Sequence, residues 1–295
     1  MGMQLAGIFS PLTTPFIDEE LALDHLRENI DRYNAFSLAG YLVLGSTGES
    51  IYLTDDESEV VVLAAKEASD PKKKLIVGTA RESTRQTIEF TNRIAGIDVD
   101  AALVRSPGYF KSRLSREALK SHYLRIADEA DIPILIYNIP VHTGYSLSSD
   151  LIIELSNHSN IIGIKDSSGN LNQLAEYFPH LREDFTVLLG AASVLLPGLI
   201  MGVSGAIITL SDVAPAQCLK LYQLFKDKKW EEARQLQLNL VPLNKALIQT
   251  MGVAAVKYSM DLLGFKGGSA RSPLPGLNDS EKSKLEEILQ KLGLI

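Results

Sequence analysis

The chain has a single cysteine, Cys218, among 295 residues, so no disulfide can form within it. That suits a reducing compartment. It also has no excess of positive charge. Lysines and arginines number 29 against 36 aspartates and glutamates, a net charge of -7. Such a balance excludes a general nucleic-acid binder, which needs a basic face for phosphate. No apolar run approaches the ~18 residues of a membrane span. The opening stretch, MGMQLAGIFSPLTTPF, has no basic region ahead of an apolar core. No secretory signal is expected there, and the cytosol is the expected setting. Neither the five histidines nor the cysteine show metal-ligand spacing.

What the chain does have is 45% hydrophobic residues in a repeating order. Short runs rich in Val, Ile and Leu end in turn formers, and an amphipathic helix follows each. The pattern predicts strands over 7–12, 41–44, 75–77, 101–104, 134–137, 161–165, 185–189 and 205–209. Helices are predicted over 23–36, 55–68, 83–95, 115–130, 148–155, 171–178 and 214–225, with an apolar helix running to 201. Thr54-Asp55-Asp56-Glu57 reads as a capping box. Eight βα units in sequence suit an α/β fold of the (β/α)8 TIM-barrel type better than a doubly wound sheet. After Lys226 the strand signals stop, and 230–249, 253–263 and 279–292 read as helices around a Gly/Pro-rich loop at 264–275. The expected organisation is a barrel over 1–226 and a C-terminal helical appendage over 227–295.

In such a barrel the C-terminal ends of the strands carry the site. The stretch NIIGIKDSSGN, residues 160–170, puts Lys165 where an apolar strand becomes a polar turn. A buried lysine is costly unless its amine reaches water or a partner such as Asp166. The alternative is an amine nucleophile kept partly neutral by a dry pocket. Tyr137 ends the preceding strand, and neighbouring strands lie about 5 Å apart, so phenol and amine can share a pocket. The phenol could shuttle a proton there, or be a core tyrosine with a satisfied hydroxyl. Gly45-Ser46-Thr47-Gly48-Glu49 offers two hydroxyls and backbone N–H groups to an anion such as a carboxylate, or is a plain turn. GYLVLGST, residues 40–47, is one residue short of a phosphate-binding loop and has Ser46 where lysine is required. His142 lies in a loop on the same face and could meet a substrate carboxylate or only solvent. Tyr109, Gly190 and Ile207 also stand at strand ends. The other histidines read as structural, Asp18–Glu20 and Asp55–Glu57 as solvated acids, and Lys72–Lys74 as a surface run.

GSTGE (residues 45–49), YNIP (137–140) and GIKDSSG (163–169), in this order and spacing, resemble the pyruvate-dependent aldolases typified by dihydrodipicolinate synthase and N-acetylneuraminate lyase. The resemblance covers essentially the whole chain. It implies a barrel with a C-terminal helical region, a covalent imine in place of any cofactor, and a homotetramer built as a dimer of dimers. It implies that Lys165 forms the Schiff base and that Tyr137 shuttles protons. Ser46 and Thr47 would hold the carboxylate of the pyruvyl unit. Thr47 would relay to Tyr109, which in this family commonly reaches a neighbouring subunit's site. The synthases usually carry arginine in the loop after YNVP, where this chain has His142. Gly108, Asp55 and Ser58 replace residues of the lysine-inhibited synthases, so lysine feedback is not expected. PGYFKSRLSREALKSHY (107–123) and GGSARSPL (267–274) look more like the 4-hydroxy-2-oxoglutarate aldolase branch. The reading is therefore a carbon–carbon lyase acting on small 2-oxo acids and aldehydes, with 4-hydroxy-2-oxoglutarate aldolase ahead of dihydrodipicolinate synthase or another sugar-acid aldolase or dehydratase. A barrel that only binds a 2-oxo acid is the rival outside catalysis, and a nucleotide-binding doubly wound sheet is another.

Overall fold

The computed structural model describes residues 5–295. Among the described residues ten strands form: β1 (Gly7–Ser10), β2 (Phe16–Ile17), β3 (Glu20–Leu21), β4 (Gly40–Val43), β5 (Lys74–Gly78), β6 (Ala101–Arg105), β7 (Ile134–Asn138), β8 (Ile161–Asp166), β9 (Thr186–Leu189) and β10 (Gly205–Ile207). Eight of them make a closed parallel barrel in the order β1-β10-β9-β8-β7-β6-β5-β4, with β4 pairing back to β1. Helices follow the strands, so this is a (β/α)8 barrel with further helices at its C-terminal end. Buried on both faces, β7 and β8 carry no polar residue before their last two positions, and β4 and β9 are apolar apart from Tyr41 and Thr186. Among the described residues no helix is long and apolar enough to cross a membrane.

Local sequence explains where the helices begin. The Thr54 side chain accepts the Glu57 N–H and Glu57 returns the bond, completing the expected capping box. Ser83, Ser115 and Ser148 cap the helices Thr84–Ala95, Arg116–Glu129 and Ser149–Ser156. Each such cap contributes about 1 kcal/mol. The chain divides into two compact units. One is Ile76–Ala206 with residues 5–6, and it contains β6 to β9. The other is Gly7–Leu75 with Ile207–Ile295, and it contains β1 to β4.

Three local features differ from the sequence reading. The two short strands β2 and β3 have no counterpart in it, although the acids Asp18 and Glu19, with φ of 49° and 71°, form the turn between them as solvated turn acids would. Lys73 is not simply a surface cation. Its ammonium donates to the carbonyls of Phe36 (2.6 Å) and Leu38 (2.7 Å), just past the helix Leu23–Asn34, where free carbonyls need donors. The helix predicted over 230–249 runs as α-helix only over Trp230–Lys245, with Pro242 inside it, and becomes a π-helical turn over Ala246–Thr250.

Candidate active site

Lys165 is the penultimate residue of β8, and only 4% of it is exposed. Register pairs Tyr137 of β7 with Lys165, so their side chains leave the sheet on the same face. The Lys165 ammonium lies 4.4 Å from the centroid of the Tyr137 ring, within cation–π range. Asp166, the next residue, faces the other way. Its carboxylate accepts the Tyr177 hydroxyl (2.8 Å), the Ser168 N–H (2.8 Å) and the Asn138 amide (3.3 Å). The lysine–aspartate pair that the sequence allows is therefore not formed. Asn138 in turn accepts the Leu147 N–H at 3.1 Å. This buried network ties the ends of β7 and β8 together one residue beyond Tyr137 and Lys165, and so fixes both side chains. Burial and the Asp166 charge push the Tyr177 phenol far up, so it remains a donor.

Backbone proximity matters at two glycines of this unit. A Cβ on Gly163 would come within 2.4 Å of the Thr186 carbonyl of β9, so glycine lets the two strands pair. On Gly190 it would come within 1.7 Å of the Ser167 hydroxyl. Gly190 also donates its N–H to the Asp166 carbonyl at 2.7 Å. The same unit holds Tyr109 and Phe110, which pack edge to face and are 81% and 69% exposed. His142 lies on the turn Pro140–Thr143 and presents surface to solvent. Partial desolvation, then the charges of Arg105 and Lys165, push its pKa below the ordinary histidine value.

The other unit carries the GSTGE loop. Leu44 and Glu49, with φ of 56° and 54°, bracket it in the left-handed region that non-glycine residues seldom occupy. Ser46 is exposed and Thr47 half-buried. The Thr47 hydroxyl shares a 2.8 Å hydrogen bond with Thr209. Ile207, at the end of β10, is fully buried. Glu49 is buried against Lys257, with 2.5 Å between carboxylate and ammonium. Its second oxygen accepts the Arg271 N–H at 2.8 Å. The Lys257 ammonium also donates to the carbonyls of Thr14 (2.8 Å) and Ser269 (2.7 Å). Arg271 adds bonds to the carbonyls of Tyr52 and Glu19 and to the Glu57 carboxylate. The GGSARSPL segment thus clamps the loop in place. Sequence reasoning met Asn138 only within YNIP at a strand end and Asp166 only as a partner for Lys165, and it assigned no role to Tyr177, Thr209, Lys257 or Arg105. Asn138, Asp166 and Arg105 stand just past predicted strand ends and Thr209 ends one, whereas Tyr177 and Lys257 left no such signal.

The dihydrodipicolinate synthetase family matches residues 4–292. A 4-hydroxy-tetrahydrodipicolinate synthase of Methanospirillum hungatei is 34% identical over 289 residues, 97% of this chain and 98% of that protein. A synthase of the same name from Methanothrix thermoacetophila is 33% identical over 97% of each chain. The crystal structure of dihydrodipicolinate synthase from Aquifex aeolicus is 31% identical and superposes with a TM-score of 0.93 over 98% of both chains. These names support the synthase alternative more than the 4-hydroxy-2-oxoglutarate aldolase to which the motifs at 107–123 and 267–274 point. With the barrel and the Lys165–Tyr137 pair they lead to one conclusion: the chain is a pyruvate-dependent carbon–carbon lyase and belongs to the dihydrodipicolinate synthetase family.

Proposed function

We propose that this chain joins pyruvate to aspartate semialdehyde through a Schiff base on Lys165. The observation that carries the reading is the buried Lys165 ammonium over the Tyr137 ring, with Asp166 engaged elsewhere. In the proposed sequence the Lys165 amine attacks the keto carbon of pyruvate, and loss of water gives an iminium. Loss of a C3 proton gives an enamine, which attacks the aldehyde carbon. Tyr137 delivers a proton to the alkoxide that forms there, and water then releases the lysine. The imine is itself the electron sink, so this chemistry calls on no further cofactor. Ser46 and Thr47 hold the pyruvyl carboxylate. Thr47 relays protons to Tyr109 in a cytosolic homotetramer, a dimer of dimers. The exposed Tyr109–Phe110 pair supports a neighbour's approach there.

A second reading, 4-hydroxy-2-oxoglutarate aldolase, runs the same steps in reverse and yields pyruvate and glyoxylate. His142 favours it, standing where the synthases usually carry arginine. Borohydride reduction with pyruvate, followed by peptide mass mapping, tests the shared chemistry. A pyruvyl adduct on Lys165 is expected, and Lys165→Ala removes it. Tyr137→Phe should keep the adduct and slow turnover about 10²–10⁴-fold. No adduct on folded protein would overturn the reading in favour of a barrel that only binds 2-oxo acids. Product assays with aspartate semialdehyde and 4-hydroxy-2-oxoglutarate separate the two enzymes.

A further inference from the structure

The row that carries Lys165 and Tyr137 continues one strand further. Arg105, the last residue of β6, is in register with Tyr137, as Tyr137 is with Lys165. Register partners project to one face, and the strands are about 4.8 Å apart, so the three Cα atoms span about 10 Å. The Arg105 side chain is held at the mouth of this row. One arm of its fork meets Glu82 at 2.9 Å, and another donates to the Ser106 carbonyl at 3.0 Å. Glu82 is itself fixed by the N–H groups of Gly108 and Tyr109, each at 3.0 Å. Burial pushes the Glu82 carboxyl up, but the bonds from Tyr109, Arg105 and Gly108 outweigh it and hold the group below the usual carboxylate range. The loop that follows YNIP packs directly on this cradle. A Cβ on Gly108 would meet Thr143 Cα at 3.4 Å and the His142 carbonyl at 3.8 Å. At 23% exposed, the Arg105 side chain is sheltered yet reachable.

We propose that Arg105 binds the carboxylate on the aldehyde half of the substrate, the task an arginine after YNVP performs in the synthases this chain resembles. The inference rests on Schiff-base formation at Lys165. The order along the row matches the order of groups along the carbon chain. Lys165 takes C2, Tyr137 meets the oxygen on C4, and Arg105 lies next, toward C5, the distal carboxylate of 4-hydroxy-2-oxoglutarate, or C7, the distal carboxylate of the aspartate semialdehyde adduct. Carbon–carbon bonds of about 1.5 Å put that carboxylate roughly 4 Å or 6 Å from C2, within the about 10 Å that the three Cα atoms span. A guanidinium has five N–H donors in a planar fork, so it can keep Glu82 and Ser106 and still offer donors to a second carboxylate. Glyoxylate and aspartate semialdehyde both carry a carboxylate on this half, on the carbon next to the aldehyde in the first and two carbons further along in the second, whereas acetaldehyde carries none. The expected substrate class is therefore an anionic aldehyde, whichever of the two enzymes this is.

The test uses the full chain with Arg105→Met and Arg105→Lys. Steady-state constants are measured with 4-hydroxy-2-oxoglutarate and with aspartate semialdehyde plus pyruvate. The neutral controls are 4-hydroxy-2-oxopentanoate, which has a methyl group in place of the distal carboxylate, and acetaldehyde plus pyruvate. Loss of a charged hydrogen bond predicts a KM for the anionic substrate about 10–100-fold higher in Arg105→Met, with constants for the neutral control unchanged. Arg105→Lys should recover part of the loss, and the borohydride-trapped pyruvyl adduct should form in both. An equal loss on neutral and anionic substrates would assign Arg105 a purely structural role and overturn the proposal. So would an unchanged KM for the anionic substrate with the adduct intact. Should Arg105→Met fail to fold, Arg105→Lys decides by the same comparison. Wild-type protein that forms no adduct would remove the Schiff-base reading, and this inference with it.

Discussion

Replacing Lys257 with methionine isolates the clamp that holds the GSTGE loop. The side chains of Lys257 and Glu49 are each 1% exposed, and their charged atoms are 2.5 Å apart. Methionine keeps most of the volume but removes the charge and three contacts: the Glu49 carboxylate and the carbonyls of Thr14 and Ser269. Glu49 would retain one donor, the Arg271 N–H. Removing one partner of a buried ion pair costs about 3–5 kcal/mol, because the other charge remains in a dry site. The double variant Lys257→Met with Glu49→Gln removes that stranded charge. It should be more stable than the sum of the single changes by about 1–3 kcal/mol. Urea unfolding followed by circular dichroism gives the stabilities, and pyruvate KM reports whether the loop still presents Ser46 and Thr47. A Lys257→Met cost below about 1 kcal/mol, or simple additivity in the double variant, would refute the reasoning.

Two further outcomes follow from buried groups. Burial holds His122 neutral and lowers its pKa from 6.5 to about 4, while its Nδ1 shares a 2.8 Å hydrogen bond with Thr84. Between those values the unfolded chain binds a proton that the folded chain does not, so stability should fall by up to about 3 kcal/mol as pH drops through that range. His122→Gln should flatten this part of the stability profile, and an unchanged slope would exclude His122 as its source. Gly190→Ala forces a Cβ onto Ser167 and should cost about 1–3 kcal/mol in thermal or urea unfolding. Ser167→Gly in the same chain should restore most of it, whereas a loss that persists would mean the glycine is required for another reason.

The barrel was legible because each unit states its period and its boundaries locally. Ile134–Asn138 and Ile161–Asp166 are short apolar runs closed by polar residues, and Thr54, Ser83, Ser115 and Ser148 announce the helices they cap. The candidate nucleophile was legible for the same reason, since Lys165 interrupts an apolar run at its end. Other features had no local signal. The β2–β3 hairpin has two-residue strands, too short to show alternation. The Glu49–Lys257 pair joins residues more than two hundred positions apart, and pattern along the chain carries no information about it. Arg105 fell outside a strand read to end at Val104, so its place beside Tyr137 did not show. An error of one residue at a strand end exchanges one face of a sheet for the other, and barrel chemistry sits at those ends.

The row Arg105–Tyr137–Lys165 also has a stereochemical consequence. When the enamine meets the aldehyde, the attacked carbon becomes a centre with four different substituents. In the proposed complex the new bond leads to Lys165, the oxygen faces Tyr137 and the carboxylate-bearing branch extends to Arg105. Holding both the oxygen and that branch would restrict how the aldehyde can turn about its carbonyl carbon, and so bias the face it presents to the enamine through backbone pairing. A variant that frees the Arg105 contact should yield a mixture of stereoisomers at that carbon even where turnover is preserved.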